Sequence, residues 1–285
     1  MNRQNKYILT IYLLANIALA FFLKENASYL SILMMCVNLS LGIIWTFSCF
    51  GLKRSLMLIV ISFAVTISLE NISINTGYPY GELKHALPGP MIGSVPLIIG
   101  LSYFPLITIS WIFGDIIVNA LPMKKAAMVH LRILIAVLVA SILDILSDPV
   151  FTLVFKLWGY PQGGGIFGVP MSNTLGWVIN SSLTLSIFEI FGRGWERRQK
   201  AIDKLHSAVC YLLLAQLIPI YICRFTLGNR IVPDITGKGW NLLDMYDCLL
   251  VFGTLIIGIL YVFGTICRET IEKRSSKTSS LSLSR

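Results

Sequence analysis

Apolar residues in this chain come in long unbroken runs, separated by short polar stretches rich in Gly, Pro and charge. The runs cover 7–23, 29–50, 55–71, 91–119, 126–147, 170–192, 206–227 and 243–266. Each is long enough to cross a hydrocarbon core of roughly 30 Å as a helix. A β-barrel would show short alternating segments instead. The pattern predicts an all-α, polytopic membrane protein with about eight transmembrane helices. Two places depart from it. The run at 91–119 holds Pro96 and Pro105, and the apolar stub VFTLVFKLW at 150–158 is too short to span, which suits a half-helix or re-entrant piece.

Composition supports the pattern: 55% of residues are hydrophobic and 13% are charged, against about 25% charged in a soluble domain. The net charge of +9 would suit nucleic acid, but its distribution argues otherwise. With eight spans and both termini inside, 17 of the 23 basic residues fall on inner segments: Arg3 and Lys6; Lys53 and Arg54; Lys124, Lys125 and Arg132; Arg193, Arg197, Arg198, Lys200 and Lys204; and Arg268, Lys273, Arg274, Lys277 and Arg285. Lys24, Lys84, Lys156, Arg224, Arg230 and Lys238 fall outside. This is the positive-inside asymmetry, and it makes membrane lipids rather than nucleic acid the expected partner. The first run is too long for a signal-peptide core and reads as an uncleaved helix of a multi-pass protein of the cell membrane. Residues 1–270 form one helical membrane domain, and the polar tail 271–285 is expected to be disordered. The six cysteines lie in or at the ends of spans without a CxxC pair, as small buried residues do. No P-loop, GxGxxG or HExxH pattern occurs. GYPQGGGIFG at 159–168 reads as a flexible turn.

The topology then places the acids. The third run ends on Glu70, the fifth carries Asp144 and Asp148 near its outer end, and the fourth and sixth begin on that side with PGPMIGSVPL and GVPMSNTLGW. Glu70, Tyr80, Glu82, His85, Asp144, Asp148, Asn173 and Trp177 therefore converge at one level, from four helices and two loops. Asp144 and Asp148, four apart, share a helix face. Two such carboxylates in lipid surroundings share a proton, and a neutral acid beside an ionised one is an acid/base pair. Pro149 predicts a helix break at Asp148. Acids at helix ends can also simply face interfacial water or pair with Lys84 or Lys156, but three meeting at one depth favour a site.

Other polar residues suggest less. Asp115 and Glu189 lie near Lys124, Lys125 and Arg193 and read as ion-pair partners. Asp244 and Asp247 read as first-turn acids of the last helix, unless they face Arg224 or Arg230. His130 and His206 read as interfacial. His85 could donate a proton, although a single loop histidine is more often solvated. Trp158, Tyr78 and Tyr80 could line an apolar pocket or sit in an interfacial belt.

The blocks E-x5-T-G-[YF]-P-[YF]-G at 70–81, V-P at 95–96, D-x3-D-P at 144–149 and G-V-P-x2-N-x2-G-W at 168–177, in this order, resemble the membrane hydratases of carotenoid biosynthesis. The resemblance implies a hydro-lyase that adds water to a trisubstituted isoprenoid C=C, giving a tertiary alcohol without metal or redox cofactor. It makes Glu70, Asp144 and Asp148 the candidate catalytic residues, with Asp148 as proton donor. Tyr80, Glu82, His85, Asn173 and Trp177 become candidate substrate-binding residues. Where the family pattern carries aromatics, this chain has Leu83, His85 and Thr174, and the tryptophan-rich stretch after Asp-Pro is thinned to Trp158 and Tyr160. The substrate expectation is therefore a carotenoid end or the prenyl chain of an ether lipid. A lipid or solute transporter and a non-catalytic scaffold of a lipid-synthesis complex are the alternatives from other classes.

Overall fold

The structure, a computed structural model, describes residues 3–22, 28–122, 124–192 and 199–283. Lys24, Arg193, Arg197, Arg198 and Arg285, used in the charge pattern above, lie outside these residues. The helices are α1 (Arg3–Phe22), α2 (Ser28–Thr76), α3 (Leu97–Ala120), α4 (Lys125–Pro149), α5 (Met171–Phe191), α6 (Gln199–Ala215), α7 (Leu217–Leu227) and α8 (Leu242–Leu283). Three short ladders tie the loops: β1 (Lys84–His85) with β4 (Trp158–Gly159), β2 (Met91–Ile92) with β3 (Val95–Pro96), and β5 (Ile231–Pro233) with β6 (Gly239–Asn241).

Among the described residues, six helical segments are long and apolar enough to cross a membrane: Met35–Thr76, Leu97–Ala120, Ala127–Val154, Met171–Phe191, Leu205–Leu227 and Leu242–Ile271. The chain is a multi-pass helical membrane protein. Six differs from the eight runs for two reasons. In α1 the apolar stretch is only Leu9–Ala18. In α2 two runs are joined across Gly51, whose φ of 70° and ψ of 179° interrupt the helix. That interruption is a fold-back. Thr46 bonds Thr108 at 3.0 Å, and Gly42 packs on Pro105 while Gly100 packs on Ile67. In a straight helix residues 42 and 67 would be about 37 Å apart, yet both meet a stretch of α3 about 12 Å long. The halves of α2 therefore lie side by side against α3.

Several boundaries differ from the sequence pattern. The helix predicted to end at Glu70 continues to Thr76, which puts Glu70 nearly two turns inside. Residues 91–96 form the β2–β3 hairpin, so the fourth span begins only at Leu97. The chain does not break at Asp148: α4 runs through Pro149 and widens into a π-helical turn at Val150–Val154. Proline lacks the N–H that would reach four residues back, and widening the next turn keeps the backbone paired. The first part of the apolar stub, Val150–Val154, is this turn, and its last residue, Trp158, opens β4. Helical backbone continues to Leu283, into the tail for which composition predicts disorder. The Gly-rich turn at 159–168 is folded against its surroundings, since a Cβ on Gly164 would fall 2.0 Å from the Val169 carbonyl carbon. The described cysteines are all free.

Apolar side chains of α8 such as Val251, Leu255, Ile259 and Val262 face outward, as a lipid-facing surface requires. Towards the basic end, a second polar cluster is buried. Arg132 Nε lies 2.9 Å from Asp115 Oδ1, and its Nη1 lies 3.3 Å from Glu189 Oε1. Trp111 Nε1 donates to Glu189 at 2.9 Å, and the Arg132 guanidinium sits 4.9 Å over the Trp111 ring. Arg132, read above as a loop charge, is thus the partner of both acids, and His206 Nε2 approaches Asp115 at 4.0 Å. Asp247 is held by Arg224, with Nη2 to Oδ2 at 3.2 Å, rather than acting as a cap. Arg132→Met leaves two buried carboxylates without their cation. It should cost about 3–5 kcal/mol, read as a lower unfolding midpoint in detergent. Adding Asp115→Asn and Glu189→Gln should recover much of that loss, and an unchanged midpoint in the single variant would mean the two acids are already neutral.

Candidate active site

Glu70, Asp144 and Asp148 are all buried, at 3%, 4% and 2% exposure, and all three line one cavity of about 180 Å3. Glu70 comes from the second half of α2. The aspartates lie on one face of α4, and Asn173 enters from the first turn of α5. Mid-helix burial of carboxylates demands donors, and these come largely from two loops. The β1–β4 ladder sets His85 opposite Trp158, bringing a donor to each of two acids. His85 Nε2 lies 2.8 Å from Glu70 Oε2, and Trp158 Nε1 donates to Asp148 Oδ1 at 2.6 Å. The Tyr103 hydroxyl donates to Glu70 Oε1 at 2.7 Å. The Tyr160 hydroxyl donates to Asp148 Oδ2 at 3.0 Å. Burial and the adjacent Asp148 carboxylate push the Tyr160 phenol well above its ordinary pKa, so it stays protonated and donating.

Asn173 joins the aspartates. Its Nδ2 donates to Asp144 Oδ2 at 2.8 Å and to Asp148 Oδ2 at 2.9 Å, so the two oxygens are within two hydrogen-bond lengths of each other. The three acids are not equally provided for. Asp148 receives three donors on its two oxygens, and Glu70 has a partner on each oxygen. Asp144 receives one donor, on Oδ2, and its Oδ1 has no hydrogen-bond partner among the described residues. His85 is buried at its side chain, against the expectation of a solvated loop histidine. Its Nδ1 has no hydrogen-bond partner among the described residues.

The walls are aromatic on one side and aliphatic on the other. Tyr103 and Trp177 stack with centroids 4.2 Å apart and planes within 5°. Leu106, Ile109, Leu146 and Ile220 continue the lining away from the acids. Tyr80 does not reach the cavity. It lies edge-on to Tyr103 at 6.4 Å, and its hydroxyl accepts from Asn180 Nδ2 at 2.8 Å. Gly176 makes room for it, since a Cβ there would fall 2.1 Å from the Tyr80 ring. Burial and the nearby Glu70 push the Tyr80 phenol well up. Tyr80 is thus a support under the aromatic wall.

Of the residues singled out in the sequence, Glu70, His85, Asp144, Asp148, Asn173 and Trp177 meet at the cavity. Glu82 does not: its side chain is exposed, because strand-like alternation between the buried Leu83 and Gly81 turns it outward. Sequence reasoning missed Tyr103 and Asn180, which sit within apolar helices without a motif around them. It read Trp158 and Tyr160 only as apolar walls, although a buried indole N–H or phenol next to an Asp-Pro carboxylate needs an acceptor.

The chain matches the family model described as carotenoid biosynthesis protein over residues 26–236, a stretch that contains the three buried acids and the side chains bonded to them. It is 28% identical over 151 residues to the bisanhydrobacterioruberin hydratase of Haloarcula japonica. That match covers 52% of this chain and 49% of the relative, about half its length. No solved structure matches the chain. The matched stretch runs from α2 into the β5–β6 loop, through all the elements that deliver the buried acids, and the chain belongs to the carotenoid biosynthesis protein family.

Proposed function

We propose that this protein is a hydratase that adds water to a trisubstituted C=C at the end of an isoprenoid chain, giving a tertiary alcohol. The observation that carries the reading is the unequal provision of donors to three carboxylates around one apolar-walled cavity. An ionised carboxylate only accepts hydrogen bonds, whereas a protonated one must donate. Asp148 and Glu70, each with donors on both oxygens, are the ionised pair. Asp144, with Oδ1 free, is the proton carrier. Sequence alone favours Asp148 for that role, but the Trp158, Tyr160 and Asn173 donors around it suit a fixed anion.

The chemistry follows from these roles. Asp144 transfers its proton to the less substituted alkene carbon, and the positive charge develops at the tertiary carbon. The Asp148 and Glu70 carboxylates and the faces of Trp177 and Tyr103 stabilise that charge. With Nε2–H engaged by Glu70, His85 presents an unprotonated Nδ1. That atom takes a proton from the attacking water as the new C–O bond forms. Return of this proton to Asp144 through solvent closes the cycle. The relative's name supports hydration as the reaction class, and the stacked aromatic wall suits a flat conjugated end. The substrate we favour is therefore a carotenoid, with the prenyl chain of an ether lipid as the alternative. In this reading the bundle makes eight passes of the cell membrane, α1 and the two halves of α2 included, with both termini inside.

Transport is favoured by one observation, the amides Asn16 and Gln216 lining the cavity away from the acids. The test is lipid mass spectrometry after expression in hosts that make acyclic carotenoids or geranylgeranyl ether lipids, repeated with purified protein in detergent. A product heavier by one water in detergent is expected, and its absence with folded protein would leave transport or scaffolding. Asp144→Asn, nearly isosteric, should lower turnover by about 10²–10⁴-fold without moving the unfolding midpoint. His85→Gln should lower turnover by a comparable factor, and small amine bases such as imidazole should partly restore it. Full activity in Asp144→Asn would remove the acid assignment.

A further inference from the structure

A second cleft, of about 390 Å3, opens between α1, α6 and α8, remote from the carboxylates. It is lined by Lys6, Leu9, Thr10, Leu13, Ser207, Tyr211 and Arg268. Lys6, Leu9, Thr10 and Leu13 form one face of α1, spaced three, four and seven residues along the helix. The lining is graded along that face. Lys6 and Arg268 belong to the basic end of the bundle, while Leu9, Leu13 and Tyr211 follow towards its middle. Arg268 does not wave free: its Nη1 donates to Ser207 Oγ at 2.6 Å, which fixes the guanidinium at the cleft.

Two cations, Arg268 held by Ser207 and Lys6 exposed at the rim, with two hydroxyls at one end and an apolar groove leading from them, match one chemistry. We propose that this cleft binds a single anionic phospholipid of the basic-side leaflet. Its phosphate lies between Lys6 and Arg268 with Thr10 and Ser207 as further donors, and one acyl chain lies along Leu9, Leu13 and Tyr211. The recognised group is a phosphate, which a free phosphate ion could also supply, but an ion leaves the apolar groove unfilled. Basic pockets between helices on the inner side are suited to anionic head groups, since each cation near the surface contributes a charge-dependent increment while the chain stays in hydrocarbon. The lipid would fasten α1, whose apolar stretch is short, to α6 and α8. This inference does not depend on the hydratase reading.

Native mass spectrometry of the full chain in detergent tests it, with phosphatidylglycerol and phosphatidylcholine titrated separately and in competition with inorganic phosphate. One phosphatidylglycerol should be retained at least about fivefold more strongly than phosphatidylcholine. Lys6→Gln and Arg268→Gln should each lower that preference by about fivefold. Lys6 is exposed, so its variant keeps the fold even if loss of the Ser207 bond weakens the other. Equal retention of the two lipids, an unchanged preference in Lys6→Gln, or displacement by millimolar phosphate would each overturn the proposal, the last by making the ligand a free ion. Loss of hydratase activity with lipid preference intact would bear on the reaction alone.

Discussion

A carboxylate moved out of water must be met by donors or by a cation, and much of this molecule is arranged around that requirement. At one end of the bundle three acids are met by an indole, two phenols, an amide and an imidazole. At the other end two acids are met by Arg132. The difference matters chemically. A buried ion pair neutralises itself and holds helices in register at little net gain in stability. Carboxylates held by neutral donors keep their charge available to whatever enters beside them, which suits a site where positive charge must develop.

The donors arrive through loops that would have no reason to be ordered on their own. A two-residue ladder joins the loop after α2 to the loop after α4, and Ser73 on α2 fixes the start of the first loop through Tyr80 N and Gly81 O. So short a ladder is marginal by itself. Here it is anchored on both strands, since His85 is bonded to Glu70 and Trp158 to Asp148. The acids order the loops, and the loops make burial of the acids tolerable. The same arrangement leaves Asp144 Oδ1 as the place where that balance is incomplete.

Polarity elsewhere in the cavity is sparse. Beyond the aromatic pair the lining is mostly apolar, with Ser102, Ser147 and the amides of Asn16, Asn38 and Gln216 as its other polar side chains outside the acid cluster. Gln216 donates to the Tyr12 hydroxyl at 2.7 Å, so α1 is tied to the α6–α7 junction by a bond across hydrocarbon. An apolar chain can lie in such a cavity with no cost beyond its own ordering, while its reactive end meets fixed charge.

The sequence by itself determined the multi-pass helical membrane class and that acids from separate helices come together, because hydrophobic length is a local property of the chain. It also brought Asp144 and Asp148 to one face through their spacing of four. It could not tell that the chain folds back at Gly51 within continuous helical assignment, or that Pro149 widens the helix instead of ending it, because both depend on packing against α3 and α5. It could not separate the exposed Glu82 from the buried Glu70, since loop direction comes from the ladder with residues more than seventy positions away. Nor could it find Tyr103, an unmarked residue in an apolar helix, or show that Asp148 is surrounded by donors while Asp144 is not. Which oxygen lacks a partner depends on the positions of side chains from five segments at once, and only the tertiary structure decides that.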